Sequence, residues 1–207
     1  MKFFIFIASL LFLGGNPTGI KVAYQKKEKK EFILNSSLPL RLKKAKLANI
    51  DKPSYSTLEI VDDVSYFYGD ESSTVFFKDH SKAESYMVLK KDLQMEKPYA
   101  VKYEAKDFDW EINKKEKKKI LGYDCYRAYY SDEGFEYSVW FAPELKYADG
   151  PYRFLGLDGL ILELETKVMV ITATSIESNA VLSQPLPSDF QYVKRGFLGS
   201  RLMESRN

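Results

Sequence analysis

Cys125 and His80 are the only cysteine and the only histidine in a chain of 207 residues, so they open the search for chemistry. A nucleophilic thiol needs a base within hydrogen-bond reach to activate it. His80 lies in the polar stretch Lys78-Asp79-His80-Ser81, and nothing in the spacing sets it beside Cys125. The expectation is a core thiol and a surface imidazole. A closed metal site normally takes three or four ligands, and the Cys and His supply ends at two. Asp62, Asp63, Asp70 and Glu71 offer an all-carboxylate alternative, but without the loop spacing and glycine of an EF-hand. There is no Gly-x-Ser-x-Gly elbow and no phosphate-cradling glycine pattern. Carboxylates suited to acid–base work are plentiful, yet no motif pairs two of them. No catalytic residue, cofactor-binding residue, cofactor or metal ligand is assigned, and the expectation is a protein that is not an enzyme.

Aromatic residues are the other chemistry on offer, with 15 Tyr, 14 Phe and 2 Trp. Trp110, Trp140, Tyr123, Tyr152 and Phe154 are candidates to line a hydrophobic cavity on one face of a curved sheet. They serve equally as core packing, which rings dominate in β domains. Arg153 would meet a ligand's anionic head or sit on the surface. The net charge of +2, from 31 Lys plus Arg against 29 Asp plus Glu, leaves no electrostatic footprint for nucleic acid.

The elements that must position these residues read as strand after strand. Residues 56–61, 64–68, 74–77, 85–90 and 99–104 are short runs of β-formers broken by Asp, Gly and Ser. Phe108, Trp110 and Ile112 alternate with Asp109 and Glu111, which predicts a half-buried strand. Residues 114–119, five Lys around Glu116, predict an exposed turn. Residues 120–130 and 135–142 predict a hairpin closed around Gly134, and 160–165 with 167–175 a second one around Thr166. The run 168–171, apolar on both faces, predicts a strand covered on both sides. Residues 183–190, with Pro185 and Pro187, predict a loop, and 81–91 is the one internal segment held open as a helix. Strands at this spacing without alternating helices predict a mostly β fold: an antiparallel meander forming a curved sheet or partly closed barrel, with room for one short helix.

The N-terminus carries Lys2 and then an apolar run over residues 3–13, interrupted only by Ser9 and ended by Gly14, Gly15, Asn16 and Pro17. That run is short of the roughly 20 residues of a membrane span and suits the hydrophobic region of a secretory signal. The alternative is a buried N-terminal strand. The expected division is a signal peptide over 1–23, cut between 15 and 24, a polar Lys-rich segment over 24–53, one β-rich domain over 54–194 and a basic tail over 195–207. Export would hold Cys125 in an oxidising compartment without an intramolecular partner. The Lys-rich segment, with Lys26, Lys27, Lys29, Lys30, Arg41, Lys43, Lys44 and Lys46, reads as a solvated arm or as a contact for anionic lipid.

Residues 150–163 form a glycine-punctuated segment, with Gly150, Gly156 and Gly159 at a Pro, ahead of an apolar residue and directly before a strand. Gly156-Leu157-Asp158-Gly159-Leu160-Ile161 resembles the hexapeptide that names the GLPGLI family of Bacteroidetes-type bacteria. The resemblance runs upstream through Trp110, the stretch with Gly122, Tyr123 and Cys125, then Trp140, Gly150, Pro151 and Phe154, in family order. It covers roughly half the chain. Asp158 stands where the family has Pro, replacing a residue of fixed φ with one that bonds to nearby backbone. The resemblance implies an exported, β-rich protein of a Gram-negative periplasm or outer membrane, without an established activity. Trp110, Gly122, Tyr123, Cys125, Trp140, Gly150, Pro151, Phe154, Gly156, Leu157, Gly159 and Leu160 are its motif residues.

The function expected from these readings is a non-catalytic binding or carrier module for a hydrophobic or extended ligand. The alternative is an accessory protein that docks to an envelope complex. Expected partners are a hydrophobic ligand or an envelope protein, with no nucleic acid, and the mature chain is not expected to be an integral membrane protein.

Overall fold

Period-two alternation in one β-rich segment after another builds a single sheet of twelve strands. The computed structural model describes residues 19–70, 72–89, 97–132, 134–184 and 189–194. The strands are β1 (Gly19–Glu28), β2 (Ser54–Val61), β3 (Val64–Gly69), β4 (Thr74–Asp79), β5 (Glu84–Leu89), β6 (Tyr99–Glu104), β7 (Glu111–Ile120), β8 (Tyr123–Asp132), β9 (Phe135–Ala142), β10 (Leu160–Thr166), β11 (Met169–Ser178) and β12 (Gln191–Tyr192). Their order is β12-β6-β5-β4-β3-β2-β1-β11-β10-β9-β8-β7. Two antiparallel meanders, β2–β6 and β7–β11, are therefore joined through β1, which pairs with β2 on one side and β11 on the other. Only β12 runs parallel to its neighbour, β6. The sheet is curved and does not close, as the mostly β meander expected from the sequence allows.

Several expectations are changed by the structure. Residues 19–23, placed by sequence at the end of the signal-peptide span, are half of β1, a strand in which Val22 and Tyr24 are wholly buried. Among the described residues the sheet thus starts at Gly19, ahead of the residue 54 expected, while the apolar run over 3–13 lies outside the described residues. The Lys-rich segment holds α1 (Lys30–Asn35) and α2 (Leu40–Ala48), and α2 is solvated on every side, with no residue buried. Residues 114–119 are no turn. They lie within the edge strand β7, where Lys117, Lys118 and Lys119 pair with β8 while Lys114 and Lys115 fall in the bulge between Asn113 and Lys117. Its turn falls at Leu121 and Gly122, both at positive φ, which splits the strand expected over 120–130. Lysines on an edge discourage pairing with another chain. The strand expected over 85–90 is β5, over Glu84–Leu89, whose inward Ser85 and Met87 pair across to β4 and β6, so the helix held open over 81–91 does not form there. In the run 168–171 only Ile171 is fully buried. The tail from 195 and residues 185–188 lie outside the described residues.

The inner face carries the main core, including Val22, Tyr24, Leu58, Ile60, Phe67, Phe76, Val101, Val139, Phe141, Leu164 and Ile171. A smaller cluster of Tyr66, Val75, Phe77, Val88 and Ala100 lies on the outer face of β3–β6, covered by Leu182 and Phe190 from the C-terminal segment. No helix among the described residues is long and apolar enough to cross a membrane.

Candidate functional site: a buried ionic clamp under the glycine-rich loop

Strand parity puts Phe76, Lys78 and His80 on the inner side of the sheet, so a lysine is aimed into the core. Lys78 is wholly buried. Its cross-strand partners are Ser65 on β3 and Ser85 on β5, two small side chains that leave room for the lysine stem. The ammonium meets the Asp149 carboxylate and the Gly150 carbonyl, both in the loop between β9 and β10. Asp149 is also fully buried, and its second oxygen lies 2.8 Å from His80 Nε2. The Gly150 N–H donates back to Asp149 Oδ1. Three charged or titratable groups and a main-chain turn thus fasten the loop to β4.

Burial alone would raise the Asp149 carboxyl. The charge of Lys78, with the hydrogen bond and charge of His80, more than offsets it and holds the group below the usual carboxylate range. Burial lowers Lys78 from the usual lysine value, opposed by the charge and hydrogen bond of Asp149. Tyr24, wholly buried, is raised by burial and by the charge of Asp149, and its hydroxyl donates to the Ile161 carbonyl at 2.8 Å. The hydroxyls of Ser65 and Ser85 have no hydrogen-bond partner among the described residues.

Beyond the clamp, the loop lays its side chains across the inner face. Tyr152 sits 5.0 Å from the Phe67 ring and 5.5 Å from Phe76. Phe154, 1% exposed, is ringed by Phe108, Trp110, Tyr130 and Tyr137 at 5.0–6.2 Å. Trp110 Nε1 donates to the Leu155 carbonyl at 3.0 Å. Leu155 and Leu157 are buried in the same core. Arg153 is not a surface side chain but is mostly buried, at 17% exposure. Its guanidinium lies 4.9–5.2 Å from the centres of Tyr103, Tyr137 and Phe154, donates to the Tyr137 hydroxyl and reaches Asp132 at 3.5 Å. The loop then enters β10 at Gly159, where a Cβ would stand 2.5 Å from the Ala142 carbonyl oxygen at a φ of 151°. Only glycine fits so close a backbone approach.

The motif residues therefore divide. Trp110, Gly150, Pro151, Phe154, Leu157, Gly159 and Leu160 gather in or against the loop, with Gly156 and Asp158 exposed on it. Gly122 and Tyr123 lie at the β7–β8 turn. Trp140 is on the outer face of β9, where Lys118 and Arg127 approach its ring at 5.7 and 5.4 Å. Cys125 is wholly buried on β8, seven strands from His80's edge of β4 in the sheet order, and burial pushes its thiol up to about 11. The two are not a catalytic pair, and His80 is a partner of Asp149 and not a free surface imidazole. Sequence reasoning missed Lys78 and Asp149. The available signal was parity: in Val75-Phe76-Phe77-Lys78 the lysine shares the face of Phe76.

No family model and no curated protein matches the chain. Two solved structures of PNGF-II, in C2 and P21 crystals, share its fold at 19% identity, with TM-scores of 0.60 and 0.61. They cover 89% and 91% of this chain but 32% and 34% of PNGF-II, so the chain spans about a third of that protein's length.

Proposed function

We propose that this chain is a non-catalytic, exported module of the bacterial envelope that docks to an envelope partner through its outer surface. The observation that carries this reading is the filled inner face. Phe154, Leu155 and Leu157 occupy the position a carried ligand would need, and the Lys78–Asp149 clamp holds them there. On the outer face, half-buried Trp140, Arg127 and Tyr129 lie together, with the guanidinium 5.1 Å from the Tyr129 ring. These are the residue types that anchor protein interfaces. A fold that recurs as part of a longer chain also suits a module. The apolar N-terminal run and the GLPGLI-like segment are the grounds for export.

A second reading keeps the carrier: a hydrophobic or extended ligand displaces the loop and takes Phe154's place. The four rings around Phe154 favour it. Crosslinking in intact cells, paired with native mass spectrometry of the purified protein, separates the two. Docking predicts a discrete crosslinked protein that is lost in Trp140→Ala, and a purified mass equal to the chain alone. A reproducible bound apolar mass, with no crosslinked partner, overturns docking in favour of the carrier.

A further inference from the structure

The basic segment between β1 and β2 has a shape and a charge of its own. Between residues 26 and 52 it holds nine Lys and Arg against three Asp and Glu, in a chain whose net charge is only +2. Ile33, 1% exposed, anchors α1, whereas α2 buries no residue at all. Three of the nine large hydrophobic residues exposed among the described residues fall within nine positions at the hairpin's tip: Leu34, Leu40 and Leu42, at 48%, 68% and 51% exposure. Arg41 and Lys44 are exposed among them. At the hairpin's base a cavity of about 590 Å³ brings Lys27, Lys30 and Lys52 together with Glu28 and Asp51.

We infer that the tip of the α1–α2 hairpin docks on an anionic lipid bilayer. Apolar side chains ringed by cations match the two layers of such a surface, acyl boundary and negative head groups. Leu40 and Leu42 are two positions apart, roughly 200° around the helix, so α2 has no single apolar face to lay flat. Entry by the tip is the geometry that wets neither leucine, while the flanking Arg41 and Lys44 reach the head groups. The outer face at Trp140 is a separate surface. The inference rests on the docking reading only in placing the protein at the envelope.

Co-sedimentation of the chain with phosphatidylglycerol vesicles, against phosphatidylcholine vesicles, tests it. Binding is expected to the anionic vesicles alone and to weaken with salt. Leu40→Ser/Leu42→Ser and Arg41→Glu/Lys44→Glu should each weaken it by about tenfold or more. Their melting temperatures should not move, because α2 contributes nothing to the core. Trp140→Ala should leave vesicle binding intact, which separates this surface from the protein-docking one. Equal binding to both lipids, no binding to either, or binding unchanged in both double variants overturns the inference. So does a photocrosslinker at position 40 that captures a protein in cells while the vesicles fail.

Discussion

Replacing Lys78 with Met isolates the ionic clamp. Methionine keeps most of the aliphatic stem between Ser65 and Ser85 and removes only the ammonium, leaving the Asp149 carboxylate buried with His80 and the Gly150 N–H. Removing one partner of a buried pair costs about 3–5 kcal/mol, because the remaining charge has lost its compensation. For a domain of this size about 2–4 °C accompanies each kcal/mol, so the melting temperature should fall by roughly 6–20 °C. Urea unfolding followed by Trp fluorescence reads the change, since Trp110 is bonded to the loop that the clamp holds.

The pH dependence is the sharper test. In the parent chain the folded Asp149 is held below the unfolded carboxyl value of about 3.9. Its contribution is therefore complete above that value and is lost as the pH falls below it. Without Lys78, the charge and hydrogen bond that oppose desolvation are lost, and the folded carboxyl rises from its position in the parent, with only His80 left to hold it down. The folded variant then takes up its proton at a higher pH than the folded parent does, and loses less stability as the pH falls. The stability gap between the two proteins should narrow from pH 7 towards pH 4. A gap under about 1 kcal/mol at pH 7, or one that is constant or widens on acidification, would refute the clamp as the loop's fastening.

Phe154→Ala should cost about 3–5 kcal/mol and shift Trp110 emission, as the ring leaves a void among four aromatic neighbours; denaturant melts and fluorescence report both. Gly159→Ala should destabilise by more than the roughly 1–3 kcal/mol of a strained φ, because its Cβ also meets the Ala142 carbonyl; thermal melting decides. Cys125, wholly buried with its thiol pushed up to about 11, should resist a thiol reagent in the folded protein at pH 8 and react at once in urea.

Much of the fold was legible in the residues. Runs such as 64–68, 74–77 and 99–104 are dense in β-formers, and the boundaries of β3, β4 and β6 fall within two residues of them. The hairpin turn at Gly134 was legible too, because turn chemistry is local. Two segments misled for physical reasons. A lysine run looks like solvent-exposed turn, yet on an edge strand Lys117, Lys118 and Lys119 reach water while their backbone pairs with β8. Residues 19–23 read as continuous with the apolar N-terminal run, yet their alternation serves the first half of a central strand.

The amino-acid sequence by itself determined the period of each strand, the placement of the turns and the glycines that let the loop bend, all consequences of contacts between near neighbours. Only the tertiary structure decided that β1 joins the two meanders, since β1 meets β11 about 150 residues away, a pairing no local pattern encodes. It also decided what the loop does. Lys78 and Asp149 are 71 positions apart, and neither is unusual in its own segment. Their meeting depends on the curvature of the sheet and the path of the loop, and that meeting closes the inner face.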